Sequence, residues 1–144
     1  MHLLLIRHGQ SHVNLKDWDG GLIDTGLTPL GQQQSERLAQ WMAAHVRADV
    51  LYTSTMARAL ETSAYLASAL HLDPQPDDRL REFGNCYANG TPVPPEAMPI
   101  RYADFWGSER PYTRISEQGE SWLLFRVRVG WFIDDILTRH GGFC

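Results

Sequence analysis

A three-layer α/β/α sandwich on a mainly parallel sheet is the architecture that this 144-residue sequence predicts. Three observations carry that expectation. The chain opens on an unbroken apolar run, Leu3-Leu4-Leu5-Ile6, the pattern of a strand buried on both faces. Helical and strand-like segments then alternate, as parallel strands joined by crossover helices require. Finally, the segment near the C-terminus has a complete apolar stripe at helical spacing. The length fits one domain, expected over residues 1–144, and a chain of this size buries roughly two-thirds of its unfolded surface.

The elements follow in order. The opening strand ends in Arg7-His8-Gly9, and a polar, glycine-rich stretch runs from Gln10 to Gly26. Thr28-Pro29 reads as an N-cap followed by proline at the first helical position, and Leu30, Leu38, Trp41, Met42 and Val46 share helical spacing, so a helix is expected from Pro29 to Val46. Asp49 to Tyr52 makes a second strand. Ser54 or Thr55 is the expected cap of the next helix, with Ala57, Leu60, Ala64, Ala67 and Leu70 as its apolar face. The prolines between His71 and Asp78 end it. From Arg79 to Gly119 the periodicity fades, and five of the chain's eight prolines mix there with Phe83, Tyr87, Tyr102, Phe105, Trp106 and Tyr112. A long irregular stretch rich in aromatics suggests an ordered lid or insertion, placed at residues 83–118. The last helix is expected over Trp122 to Arg139, with Trp122, Phe125, Val129, Phe132, Ile133, Ile136 and Leu137 inward.

Composition excludes several classes. Apolar residues make up 43% and charged residues 21%, so the chain is not compositionally disordered. Thirteen Lys and Arg against seventeen Asp and Glu give a net charge of −4, which argues against broad binding to nucleic acid or to an anionic membrane. The opening apolar run is too short for a signal peptide or a membrane span. Cys86 and Cys144 have neither redox nor metal spacing. His8 and His12 are four apart, but Gly9 and the strand end oppose a helix there, so no metal and no cofactor are expected. The expected setting is cytoplasmic.

Three stretches carry the chemistry. Arg7-His8-Gly9-Gln10-Ser11 with Asn14 stands at the carboxyl end of a strand, where open α/β sheets bind ligands. A neutral imidazole near pH 7 can act as a nucleophile, and a neighbouring guanidinium can clamp phosphate oxygens. The bland alternative is a surface turn that contains a histidine. Arg58 falls in the first turn of a helix, where the dipole favours anions, although a solvated arginine paired to Glu61 or Glu82 would look the same. Glu82, beside Phe83 and Gly84, suits a pocket acid that protonates a leaving group, against the bland reading of a solvated loop glutamate.

Together these stretches resemble the histidine phosphatase superfamily, the phosphoglycerate-mutase-like enzymes. The resemblance runs through LIRHGQS with Asn14, LTPLGQQQSERLA at 27–39, ADVLYTSTMARALETSAYLA at 48–67, LREFGNCYANG at 80–90 and GES at 119–121. It implies that His8 accepts the phosphoryl group as a phosphohistidine. It implies that Arg7 and Arg58 hold the phosphate with Asn14 as a further donor, and that Glu82 is the acid and then the base. Gly20-Gly21 would line the site. The function implied is hydrolysis of the phosphomonoester of a small metabolite. A phosphoglycerate mutase is the alternative within the family, and an inactive phosphate-binding form is the alternative outside catalysis. The modest span between Phe83 and Gln118 favours the phosphatase branch.

The pattern breaks in one place. The family carries a second histidine in a His-Gly pair after a late strand, and the candidate here is His140-Gly141. Ile136 and Leu137 continue the helical stripe and Gly141 suits a helix C-cap, so His140 is expected at a helix end instead. The last strand and helix of the family pattern would then lie beyond Cys144. Weak or absent activity, an exposed sheet edge and a homodimer are the expected consequences.

Overall fold

A computed structural model describes residues 2–18, 24–98 and 110–141. The architecture is α/β with a parallel sheet and three long helices, in two compact units. Residues Ile6–Asp77 form one unit, and the described residues of Met1–Leu5 and Asp78–Cys144 form the other.

In the unit Ile6–Asp77, helix α1 spans Pro29–His45. The Thr28 hydroxyl accepts from Gly31 N–H at 3.1 Å and Pro29 occupies the first turn, as the local signals require. Strand β1 (Leu51–Ser54), helix α2 (Ala57–Leu70) and strand β2 (Pro74–Asp77) make a β-α-β unit. β1 and β2 pair in parallel, with Leu51 opposite Pro74 and Ser54 opposite Asp77. β2 departs from the expectation, since two prolines in four residues read as a helix stop. Pro74 and Pro76 lack N–H groups, yet strand alternation turns them to the same side, leaving Gln75 and Asp77 to donate on the other. Prolines on one edge are compatible with an edge strand.

Helix faces meet the apolar expectation only in part. α1 buries Gly31, Ser35, Ala39 and Met42, while Leu30 and Trp41 are exposed. Close backbone approach explains the choice of small residues, since a Cβ on Gly31 would collide with the Gln10 backbone. α2 buries Arg58, Thr62, Ser63 and Leu66, whereas Leu60 and Ala64 are exposed. Its N-cap is Met56 rather than Ser54 or Thr55. The Ser54 hydroxyl accepts from Met56 N–H at 3.3 Å, and Ala57 N–H donates to the Asp24 carboxylate at 2.7 Å. Ala39, Met42 and Leu66 form the buried apolar cluster, flanked by Leu38, Val46, Leu51, Tyr65, Ala69 and Leu70.

The opening apolar run does not form the expected strand. Residues 2–10 join no ladder, and Leu3, Leu4 and Leu5 are exposed. An apolar run supplies the side chains of a buried strand, but the strand exists only where a neighbour takes its N–H and C=O groups.

In the other unit, helix α3 spans Trp122–His140, and the Ser121 hydroxyl caps it by accepting from Leu124 N–H. Its buried face is Arg128, Phe132 and Ile136, and Leu137, expected inward, is exposed. Phe83 is buried against Trp122 and Phe125, with ring centroids 5.3 and 5.9 Å apart. Of the aromatics assigned to a lid, Phe83 is thus core and Tyr112 is exposed, while Tyr102, Phe105 and Trp106 lie outside the described residues. Among the described residues, no helix is long and apolar enough to cross a membrane.

Candidate active site

The unit Ile6–Asp77 brings His8 and Arg58 together from fifty residues apart. Gly9 carbonyl lies 2.7 Å from His8 Nδ1. A carbonyl only accepts, so Nδ1 carries the proton and the lone pair resides on Nε2. Arg58 Nε–H donates to that Nε2 at 3.1 Å. This tautomer presents a neutral imidazole nitrogen, its ring orientation held by the chain's own backbone, beside a guanidinium. Arg58 itself is 3% exposed. Stem and head alike are therefore buried, with the guanidinium turned toward His8.

Helix periodicity explains how the two meet. Arg58 and Thr62 stand four apart, on the face of α2 that is buried. The Thr62 hydroxyl donates to Arg58 carbonyl at 2.8 Å and accepts from Gly9 N–H at 3.1 Å. One face of α2 thus fixes His8 through Arg58 and the next residue's backbone through Thr62. The other side of the segment is tied to α1. Gln10 N–H donates to the Gln34 side chain, and Gln10 carbonyl accepts from N–H of Thr28, the N-cap of α1, at 2.9 Å. Gly9 has no room for a side chain, because a Cβ there would meet the Gly31 carbonyl and the Ser35 hydroxyl.

Asn14 closes the turn that follows. Its Oδ1 accepts from Ser11 N–H and from the Ser11 hydroxyl, each at 3.0 Å. The amide nitrogen is left as the donor end. Arg7 is exposed, immediately before His8 in the chain. The 3-10 turn begins at His12, so His8 and His12 do not share a helix. The Glu61 carboxylate accepts from Leu27 N–H at 2.8 Å. Gly20-Gly21 lie outside the described residues.

Glu82 and His140 belong to the other unit. Glu82 is half-buried, while Arg81, Phe83, Gly84, Asn85 and Cys86 around it are buried. His140 is the last residue of α3, and Gly141 N–H closes the helix on Leu137 carbonyl at 2.7 Å. The helix-end placement expected for it is what the structure has.

The histidine phosphatase superfamily (branch 1) family model matches residues 3–143. The chain belongs to that superfamily. The chain is 31% identical to phosphoserine phosphatase 1 of Hydrogenobacter thermophilus over 96% of its own length and 65% of that protein's. It therefore spans about two thirds of that relative's length. It is 42% identical to a 2,3-bisphosphoglycerate-dependent phosphoglycerate mutase of Mycobacterium leprae over 66 residues, 45% of this chain and 26% of the mutase. The solved structure of Bacillus stearothermophilus YhfR superposes with a TM-score of 0.68 at 28% identity, covering 94% of this chain and 67% of that one.

Two side chains that organise the structure, one in each unit, are not among the residues singled out from the sequence: Thr62 and Arg128. Thr62 was in view as part of a motif, and its spacing of four from Arg58 was the available signal. Arg128 interrupts the apolar stripe of α3 between Phe125 and Phe132. A charge on a buried face needs a partner, and Glu120 in the neighbouring GES stretch is an acid within reach in the sequence, a signal that was not used.

Proposed function

We propose that the chain is a phosphomonoester hydrolase acting through a phosphohistidine at His8 on a small phosphorylated metabolite. The observation that carries the reading is the His8 tautomer, with Nδ1–H held by Gly9 carbonyl and Nε2 at 3.1 Å from the Arg58 guanidinium. Likeness to a phosphoserine phosphatase supports the substrate class.

In the first step His8 Nε2 attacks phosphorus, and the bond from phosphorus to the ester oxygen breaks. Glu82 gives its proton to the departing alkoxide, which leaves as an alcohol. In the second step the Glu82 carboxylate takes a proton from water, the water oxygen bonds to phosphorus, and the P–N bond breaks to return His8 and inorganic phosphate. Arg58 turns its N–H groups from Nε2 onto the equatorial oxygens, assisted by Arg7 and by the Asn14 amide. This positioning and charge neutralisation is where most of the barrier reduction arises.

The test is phosphate release from an aryl phosphate by the 144-residue chain, beside His8→Ala, with the phosphoenzyme trapped from labelled substrate. Slow turnover and an acid-labile, base-stable label, both lost in His8→Ala, are expected. Release that persists in His8→Ala refutes the mechanism. A folded chain that shows neither label nor release favours the phosphate-binding alternative. The mutase likeness within 66 residues favours a second reading, phosphoglycerate mutase. That reading requires priming by a bisphosphate and return of the phosphoryl group to the sugar acid, and release from simple esters without priming speaks against it. Phosphorylated metabolites are retained inside cells by their charge, which supports a cytoplasmic setting. The exposed Leu3, Leu4 and Leu5 support a homodimer, which light scattering tests.

A further inference from the structure

We infer that the buried Glu120–Arg128 pair is a positioning device for Glu82, an inference that rests on the acid role proposed for Glu82. Arg128 and Glu120 are 4% and 1% exposed. Arg128 Nη2 lies 2.8 and 3.0 Å from the two Glu120 carboxylate oxygens, and Arg128 Nε lies 3.1 Å from Oε2. What the pair does with its remaining capacity is the informative part. Arg128 Nη1 donates to the carbonyls of Asp78, Arg79 and Arg81, at 3.3, 2.9 and 3.0 Å. Glu120 Oε1 accepts from Gly84 N–H at 2.9 Å. One ion pair therefore grips the backbone immediately before Glu82 and two residues after it.

The grip is completed from within the loop. Asn85 Nδ2 donates to Glu82 carbonyl at 3.2 Å, and Arg81 Nε donates to Asn85 carbonyl at 3.1 Å. Phe83 is driven into the aromatic cluster with Trp122 and Phe125. Every neighbour from Arg81 to Cys86 is buried except Glu82, so the loop presents that one side chain and immobilises the rest. A buried ion pair is a poor source of stability compared with apolar residues of the same volume. A planar guanidinium that spans a carboxylate and three carbonyls instead fixes where the backbone lies, because its donors point in set directions. A general acid is effective only when its proton is within hydrogen-bond reach of the leaving oxygen.

The test reads the demand for that proton. Aryl phosphates leave with little protonation, whereas alkyl phosphates need an acid. With the full chain, kcat and KM are measured for p-nitrophenyl phosphate and for glycerol phosphate in the parent, Glu82→Gln, Glu120→Gln, Arg128→Lys and Ile136→Val. Folding of each is checked by thermal melting. The expected result is that Glu82→Gln, Glu120→Gln and Arg128→Lys each lower the alkyl-to-aryl ratio of kcat by about tenfold or more, with KM little changed. Ile136→Val loosens the same buried face of α3 and leaves the ratio unchanged, as a merely structural effect would. If Glu82→Gln collapses the ratio while Glu120→Gln and Arg128→Lys preserve it, the positioning role is overturned and the acid role stands. If Glu82→Gln itself preserves the ratio, the acid role fails and the inference fails with it. Absence of His8-dependent turnover in the parent overturns both. Should Arg128→Lys unfold at the assay temperature, the near-isosteric Glu120→Gln decides.

Discussion

Arg128→Met tests the energetics of the same pair independently of turnover. Methionine keeps much of the length of the arginine stem, so packing on α3 is largely retained while the charge and its donors are removed. What remains is a carboxylate 1% exposed, with the Gly84 and Cys86 N–H groups as its polar contacts, and three backbone carbonyls that lose a donor. Breaking a buried pair from one side costs about 3–5 kcal/mol. With a urea m-value of about 1–3 kcal/mol/M, the unfolding midpoint falls by roughly 2 M. Tryptophan fluorescence is a suitable probe, because Trp122 packs on Phe83 in the same cluster. Glu120→Leu strands the arginine instead and costs a similar amount. The double variant, Glu120→Leu with Arg128→Met, leaves no buried charge and is expected to be closer to the parent than the sum of the two singles. The loss in Arg128→Met also depends on pH. Burial already raises the Glu120 carboxyl above its ordinary value, against the pull of Arg128 and the Gly84 and Cys86 N–H groups. Without Arg128 it rises further, so the folded variant holds a proton that the unfolded chain releases. Its stability is then greatest below the ordinary carboxylate range and falls as pH climbs through the raised value, so the deficit narrows in acid. Additive losses in the double variant, or a deficit for Arg128→Met below about 1 kcal/mol at neutral pH, would refute the reasoning.

Three further outcomes are expected. Gly9→Ala pushes a methyl group against the Gly31 carbonyl and displaces the His8 segment from Arg58, at a cost of about 1–3 kcal/mol; calorimetry should show a lower Tm and loss of stabilisation by inorganic phosphate, and an unchanged Tm and phosphate response would contradict this. Burial pushes the Cys86 thiol up to about 11, so in a Cys144→Ser background it should resist alkylation at pH 8 until the chain unfolds. The folded state keeps the thiol proton after the unfolded state has lost it, so the stability advantage over Cys86→Ala should shrink as pH rises from about 9 toward 11, and a flat difference would be evidence against a buried thiol. Ser121→Ala removes the acceptor for Leu124 N–H and should lower stability by about 1 kcal/mol, read from the urea midpoint, with no change meaning that the cap is idle.

Local signals in the sequence determined where the helices are. Thr28-Pro29 and Ser121 start helices within a residue of the expected positions, because a cap satisfies N–H groups only a turn away. The candidate nucleophile and its arginine were legible for a related reason. An imidazole after an apolar run and an arginine in a helix's first turn are short patterns, and their chemistry is intrinsic to the side chains. The end of α3 at His140 was legible from the stripe and from Gly141.

Tertiary structure decided everything that depends on a distant partner. Apolarity found only part of the inner faces of α1 and α2: Leu38, Met42, Val46 and Leu70 join the apolar cluster, but Leu30, Trp41, Leu60 and Ala64 are exposed, because close backbone approach and the hydrogen bonds of Thr62 and Arg58 set the rest. The apolar run at 3–6 lacks a ladder, while the proline-bearing Pro74–Asp77 is a strand, since pairing depends on what lies alongside. Arg128 stands inside the buried face of α3 only because the fold surrounds it with Glu120 and three carbonyls. Caps and periodicity act within a turn of helix and are written in neighbouring residues. A strand's partner, a helix's face and a buried charge's counter-ion are long-range choices, settled only when the chain packs against itself.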